Sequence, residues 1–144
     1  MSTPQCTVTL GKGKRVDAEI AGFTIHTDQP VASGGEGSAP APYSLFMASI
    51  GTCAGFYVQS FCNNRSLSTD GIRIEQRWHS EGIDHVLKTV ELTIVVPPEF
   101  PERYREALIR VAAQCTVKKA IAAGPEIDVG VKVADVVLLA GAVG

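Results

Sequence analysis

Residues 39–62 read APAPYSLFMASIGTCAGFYVQSFC, an uncharged stretch around which the rest of the chain is organised. Pro40 and Pro42 open it, and proline suits the first turn of a helix, where its missing N–H would be unpaired anyway. From Tyr43 onward apolar residues occupy nearly every helical face, which predicts a helix buried on most sides. Gly51 and Gly55 lie four apart on one face, where another backbone can approach closely. Between them stands Cys53, a thiol in the middle of the most apolar helix.

Outward from this stretch the chain alternates. Residues 5–10 (QCTVTL), 15–20 and 23–27 have strand periodicity, separated by Gly11-Lys12-Gly13-Lys14 and Ala21-Gly22, and predict a three-stranded meander. DQPVASGGEGSAPA, residues 28–41, is either a flexible linker or fixed structure leading into the helix, and Gly34-Gly35 point to unusual backbone angles or close approach. The central helix is expected over residues 42–63. Two strands, 72–79 and 86–96, flank the turn Glu81-Gly82-Ile83-Asp84, and Pro97-Pro98 ends the second. A helix over 101–113 has Leu108, Val111 and Ala112 on its inner face. A second helical run, CTVKKAIAA, ends at Gly124-Pro125. Alternation at Ile127, Val129, Val131 and Val133 predicts a last strand, followed by an apolar tail. The order βββ-α-ββ-αα-β gives an α+β class with antiparallel sheets, in a single domain over residues 1–144.

Composition narrows the function. The chain has 144 residues, 45% hydrophobic and 19% charged, with a net charge of −2. That balance gives no electrostatic case for nucleic acid or an anionic membrane. The N-terminus, MSTPQCTVTL, lacks the basic start and apolar run of a signal peptide, so a cytoplasmic location is expected, where thiols stay reduced. The central stretch is long enough to raise a membrane-spanning reading. Ser44, Ser49, Thr52, Gln59 and Ser60 oppose it, as do strands that need this helix as their core.

Four cysteines stand at 6, 53, 62 and 115. None form a CxxC pair or a zinc knuckle. Cys53 and Cys62 differ by about 900° on a helix and face opposite ways. Each cysteine has the plain reading of a small buried hydrophobe. His26, His79 and His85 share no metal-ligand spacing, so no metal is expected. GGEGSAP is not set between a strand and a helix as a nucleotide-binding loop requires.

GGEGSAPAPYSLFMASIGTC, followed later by QCTVKKAI, resembles the OsmC/Ohr family of thiol-dependent peroxidases. The family pattern joins a basic residue in an N-terminal meander, a Gly-Gly loop and a proline before a long helix with a cysteine about ten residues in. A second cysteine opens a later helix. The resemblance covers nearly the whole chain and implies an intertwined homodimer, in which the partner's sheet covers the central helix. By position it implies that Cys53 attacks an organic hydroperoxide in oxidative-stress defence. Cys115 resolves the sulfenic acid as a disulfide, and Arg15 stabilises the thiolate. Lys14, Glu36 and Tyr43 are supporting positions, and Phe46, Ile50 and Phe56 are the apolar substrate pocket. No metal, haem or flavin is implied, only an external dithiol reductant such as a lipoyl group.

Two residue-level points bear on this. Cys53 is roughly 15 Å from the start of its own helix, too far for that dipole to act. Burial raises a thiol pKa, so a cation elsewhere is the expected activator. Family peroxidases often carry a Glu after the helix-opening proline; here Tyr43 stands in that place. The alternative is therefore a non-peroxidase OsmC-like protein that binds a small apolar or thiol-reactive ligand at the dimer interface.

Overall fold

The computed structural model describes residues 3–134. Three strands, β1 (Cys6–Leu10), β2 (Val16–Ile20) and β3 (Phe23–Thr27), form an antiparallel meander in which Val8 faces Ala18 and Asp17 faces His26. The last pair also meets through its side chains, with His26 Nδ1 3.0 Å from Asp17 Oδ1. The loop then leads into α1 (Pro42–Asn64). A second antiparallel sheet follows, β4 (Arg73–Glu81) with β5 (Val86–Val95), and then α2 (Arg105–Ala112) and α3 (Thr116–Ala123).

Helix α1 starts where the prolines place it. Ala41 is its N-cap and offers no side-chain cap, while Pro42 takes the first position, where no N–H is needed. The helix ends after Asn64, where Ser66 takes a left-handed φ of 53° and Leu67 N–H returns to the Cys62 carbonyl at 2.9 Å. Such a return satisfies a carbonyl that the helix leaves orphaned. Met47, Ile50, Ala54, Val58, Phe61 and Cys62 are its buried residues. Val58, Phe61 and Cys62 meet Phe100 and Leu108 in the core, with Val111, Ala112, Ile74 and Ile94 packed around them. The expected inner face of α2 is the face found.

Glycine settles how close β4 comes. Gln76 Nε2 donates to the Met47 carbonyl at 2.9 Å, and a Cβ on Gly51 would stand 2.6 Å from Gln76 Oε1. Gly51 is thus the space into which the sheet reaches the helix.

The loop over residues 28–41 is fixed structure and not a linker. The fully buried Asp28 carboxylate accepts from Gln29 N–H (2.7 Å), Ser38 N–H (3.0 Å) and Ser38 Oγ (2.6 Å). Gly35 N–H donates to the Pro30 carbonyl and Gly37 N–H to that of Gln29. The Ser38 hydroxyl first, then the Ser38 and Gln29 N–H groups, hold the Asp28 carboxyl down to about 2 from 3.8. A depressed carboxyl pKa contributes stability that is complete above the unfolded value and is lost as pH falls through the folded one. Asp28→Asn is therefore expected to lower the melting temperature at pH 7. It should also flatten the drop in melting temperature between about pH 4 and pH 2. An unchanged acid slope in a melting series would remove Asp28 as the source.

Three expectations change. The meander does not use α1 as its core in the single chain: Val8, Leu10 and Phe23 are exposed, Phe23 to 72%. Helix α1 is also less enclosed than its composition predicts, since Tyr43, Phe46 and Phe56 face outward. The expected last strand is absent. Residues 127–133 form no ladder and Val129 is 92% exposed, because alternation supplies a buried face only when a sheet edge is there to pair with. The predicted apolar tail lies mostly outside the described residues. By length and hydropathy α1 is long and apolar enough to cross a membrane. In the structure it carries the core described above.

Candidate active site: a thiol pair at the start of a short helix

Cys53 sits midway along α1, half-buried, and Cys115 is 1% exposed at the N-cap of α3. Cys115 Sγ accepts from Lys118 N–H at 3.4 Å and lies 3.9 Å from the Ile50 carbonyl. A thiol thus does the capping work that Ser, Thr, Asp or Asn usually do. This brings the first turn of α3 against α1. Both thiols are free, and each is the other's hydrogen-bonding neighbour.

The electrostatics separate the two. The Val117 N–H, the Cys115 thiol and the Thr116 N–H lower the Cys53 pKa, against an opposing effect of burial. Burial first, then the hydrogen bond with Cys53 and last the charge on Cys53, raises that of Cys115, against the Lys118 and Val117 N–H groups. Orphan N–H groups at a helix start favour an anion. The helix that acts on Cys53 is α3, not its own. The two shifts run in opposite directions, so Cys53 is the more easily ionised thiol of the pair and Cys115 the less.

Within the single chain the groups acting on Cys53 are backbone N–H groups and a thiol. Arg15 is exposed at the β1–β2 turn, and no cation is among the groups that shift Cys53. Lys14 is also exposed, with its Cε near Gly34. Glu36 is exposed in the loop, and its backbone contributes to holding Asp28. Tyr43 opens α1 with its ring 5.8 Å from that of Phe46. Phe46, Ile50 and Phe56 are not gathered into one pocket: Ile50 borders a cavity backed by Cys115, and Phe56 lines another on a different side of α1.

Sequence reasoning passed over Thr116, Val117 and Tyr57. Tyr57 is one helical turn from Cys53, and its hydroxyl is 3.2 Å from Thr116 Oγ1. The signal for the first two was present: a cysteine just before Thr-Val-Lys-Lys occupies a helix N-cap position. Cys62, fully buried, has its thiol pushed up by burial and belongs to the core. Among the described residues no three His, Cys, Asp or Glu side chains form a metal-binding group.

One expected outcome follows from the N–H groups around Cys53. Its alkylation rate should rise with pH and level off below the pH at which a small free thiol does (~8.5). Cys62 should stay unreactive until the protein unfolds. Mass-resolved iodoacetamide labelling across pH reads both, and a Cys53 profile at or above that of the free thiol would contradict the assignment.

A long helix that holds one cysteine against a second at the start of a later helix, with two antiparallel sheets, defines a thiol-pair α+β protein. The OsmC-like protein family profile matches residues 35–130, and the chain belongs to that family. Among curated protein sequences none matches it. Solved structures share its fold. One is a protein of Psychrobacter arcticus 273-4 named for osmotic stress and detoxification response, with TM-score 0.70 and 20% identity over 83% of this chain and 89% of that one. An OsmC-like protein from Mycoplasma pneumoniae gives TM-score 0.65 and 13% identity over 86% and 91%. An organic hydroperoxide resistance protein from Elizabethkingia anophelis gives 0.57 and 19% over 86% and 91%.

Proposed function

We propose that this protein reduces organic hydroperoxides with Cys53 as nucleophile and Cys115 as resolving thiol. The observation that carries the reading is the placement of Cys53 against the Thr116 and Val117 N–H groups and the Cys115 thiol. The Cys53 thiolate attacks a peroxide oxygen; an S–O bond forms and the O–O bond breaks. The departing alkoxide takes a proton and leaves as the alcohol. The Cys115 sulfur then attacks the Cys53 sulfenic acid, an S–S bond forms, and water leaves. An external dithiol, such as a lipoyl group, reduces the disulfide and is itself oxidised. No resident cofactor enters these steps.

The same reading takes the working form as a cytoplasmic homodimer. The exposed Val8, Leu10 and Phe23 of the meander and Phe56 of α1 are apolar surface that a second copy would cover. Arg15 retains a role only if that assembly carries the meander to a thiol. The test is consumption of cumene hydroperoxide by the reduced protein with a dithiol, and a Cys53 no faster than free cysteine would end the reading.

A second reading rests on the cavity of about 710 Å³ between α1, β5, α2 and α3, walled by Ile50, Leu92, Ile94, Ile109, Cys115 and Ile121. It is the binding of a small apolar ligand without peroxide chemistry. A ligand that occupies this cavity in a protein inert to hydroperoxide would favour it.

A further inference from the structure

A groove of about 440 Å³ runs between α1 and α2, apart from the aliphatic cavity behind Cys115. Its apolar walls are Tyr57, Phe61, Ala107 and Val111, and Arg65 and Arg110 also line it. The size falls within the range of small-molecule sites. The Arg65 guanidinium carbon stands 3.8 Å over the Phe61 ring, and its Nη1 donates to the Phe61 carbonyl at 3.4 Å. The group is thereby folded back over the groove, with other donors still free. Among the described residues, neither Arg65 nor Arg110 has a carboxylate within ion-pair distance. Two cations facing one apolar groove repel each other, and an anion placed between them relieves that repulsion.

Residues of α1 that line the groove share a helical stripe with Cys53. Cys53, Tyr57, Ser60 and Asn64 follow the i, i+4, i+7, i+11 spacing of a single helical stripe, roughly 16 Å long. Tyr57, Ser60 and Asn64 line the groove, and the Tyr57 hydroxyl touches Thr116 at the thiol end. Apolar walls at Tyr57, Phe61, Ala107 and Val111 with a cationic edge fit a molecule with an alkyl chain and a compact negative head.

We infer that this groove binds an alkyl amphiphile, its anionic head at Arg65 and Arg110 and its chain laid past Tyr57 toward Cys53. The inference rests on the peroxidase reading only in making the chain end the place of reaction; the binding itself does not require it.

The experiment uses the reduced full-length protein and three probes of equal chain length: decanoate, decyl phosphate and decanol. Calorimetric titration gives the affinities for the native protein, Arg65→Lys and Arg110→Gln. Both arginines are exposed, so the variants should keep the fold. At least one anion should bind roughly fivefold more tightly than decanol, the scale of one exposed ion pair. Arg110→Gln should erase most of that advantage, and Arg65→Lys should keep much of it. The better anion assigns the head as carboxylate or phosphate. The bound anion should also slow iodoacetamide labelling of Cys53. Decanol binding as well as both anions, or an advantage untouched by Arg110→Gln, would overturn the inference. Cumene hydroperoxide turnover, measured on the same samples, separates the two readings. Turnover without anion preference removes the groove alone, and anion preference without turnover removes the peroxidase alone.

Discussion

Cys53→Ser is expected to lower hydroperoxide consumption by about three orders of magnitude or more, to the background of an unassisted thiol. A serine hydroxyl remains protonated at neutral pH even beside the Thr116 and Val117 N–H groups, so it has no anion to present to the O–O bond. Cys115→Ser should behave differently. It leaves the Cys53 nucleophile in place and removes the group that resolves it, so a first turnover proceeds and a Cys53 sulfenic acid accumulates. Rapid mixing with cumene hydroperoxide, with a dimedone-type trap read by mass spectrometry, distinguishes the two. Equal loss in both variants with no trapped sulfenic acid would contradict the assigned order of attack.

Gly35→Ala should produce the largest loss of stability among single methyl additions. A Cβ there would fall far inside van der Waals contact with the Gln29 carbonyl oxygen and 2.9 Å from Asp28 Oδ1. The first obstacle is backbone, held by the Asp28 hydrogen bonds, so no side-chain rotation relieves it. The loop must open, which costs about 3 kcal/mol by analogy with overpacked interiors and about 10 °C in melting temperature. Gly13→Ala is the control, because nothing lies within 4 Å of its Cβ and only its positive φ of 63° is strained. A melting curve for Gly35→Ala no lower than that of Gly13→Ala would mean that the loop is not clamped in solution.

The positions of most elements were legible because they follow from local chemistry. Pro42 marks the start of α1, Pro97-Pro98 follows the end of β5, and period-two alternation marks β1 to β5. The failure at residues 127–133 is instructive. Ile127, Val129, Val131 and Val133 alternate as regularly as any strand, yet a ladder needs a neighbour and none is supplied within the described chain. The reading of α1 as buried on most sides is met only in part within one chain, where Tyr43, Phe46 and Phe56 stay exposed, since composition reports how apolar a helix is and not what covers it.

The candidate site divides along the same line. Its two cysteines were singled out by the family resemblance, while their spacing alone gave only small buried hydrophobes, and the capping role of Cys115 emerged from the structure. Which groups act on Cys53 was not identifiable, because that depends on where α3 lies relative to α1. The expectation of Arg15 came from the family pattern of a basic residue in the N-terminal meander, whereas an oriented backbone N–H leaves no signature in a sequence.

By itself, then, the order of residues determined the strands β1 to β5 and the central helix, since these depend on contacts between near neighbours along the chain. Only the tertiary structure decided that the glycine loop is clamped around Asp28, that the first turn of α3 meets Cys53 within the chain, and that Arg65 and Arg110 share a groove. Each of these joins groups far apart in sequence, and such meetings are set by packing rather than by local preference.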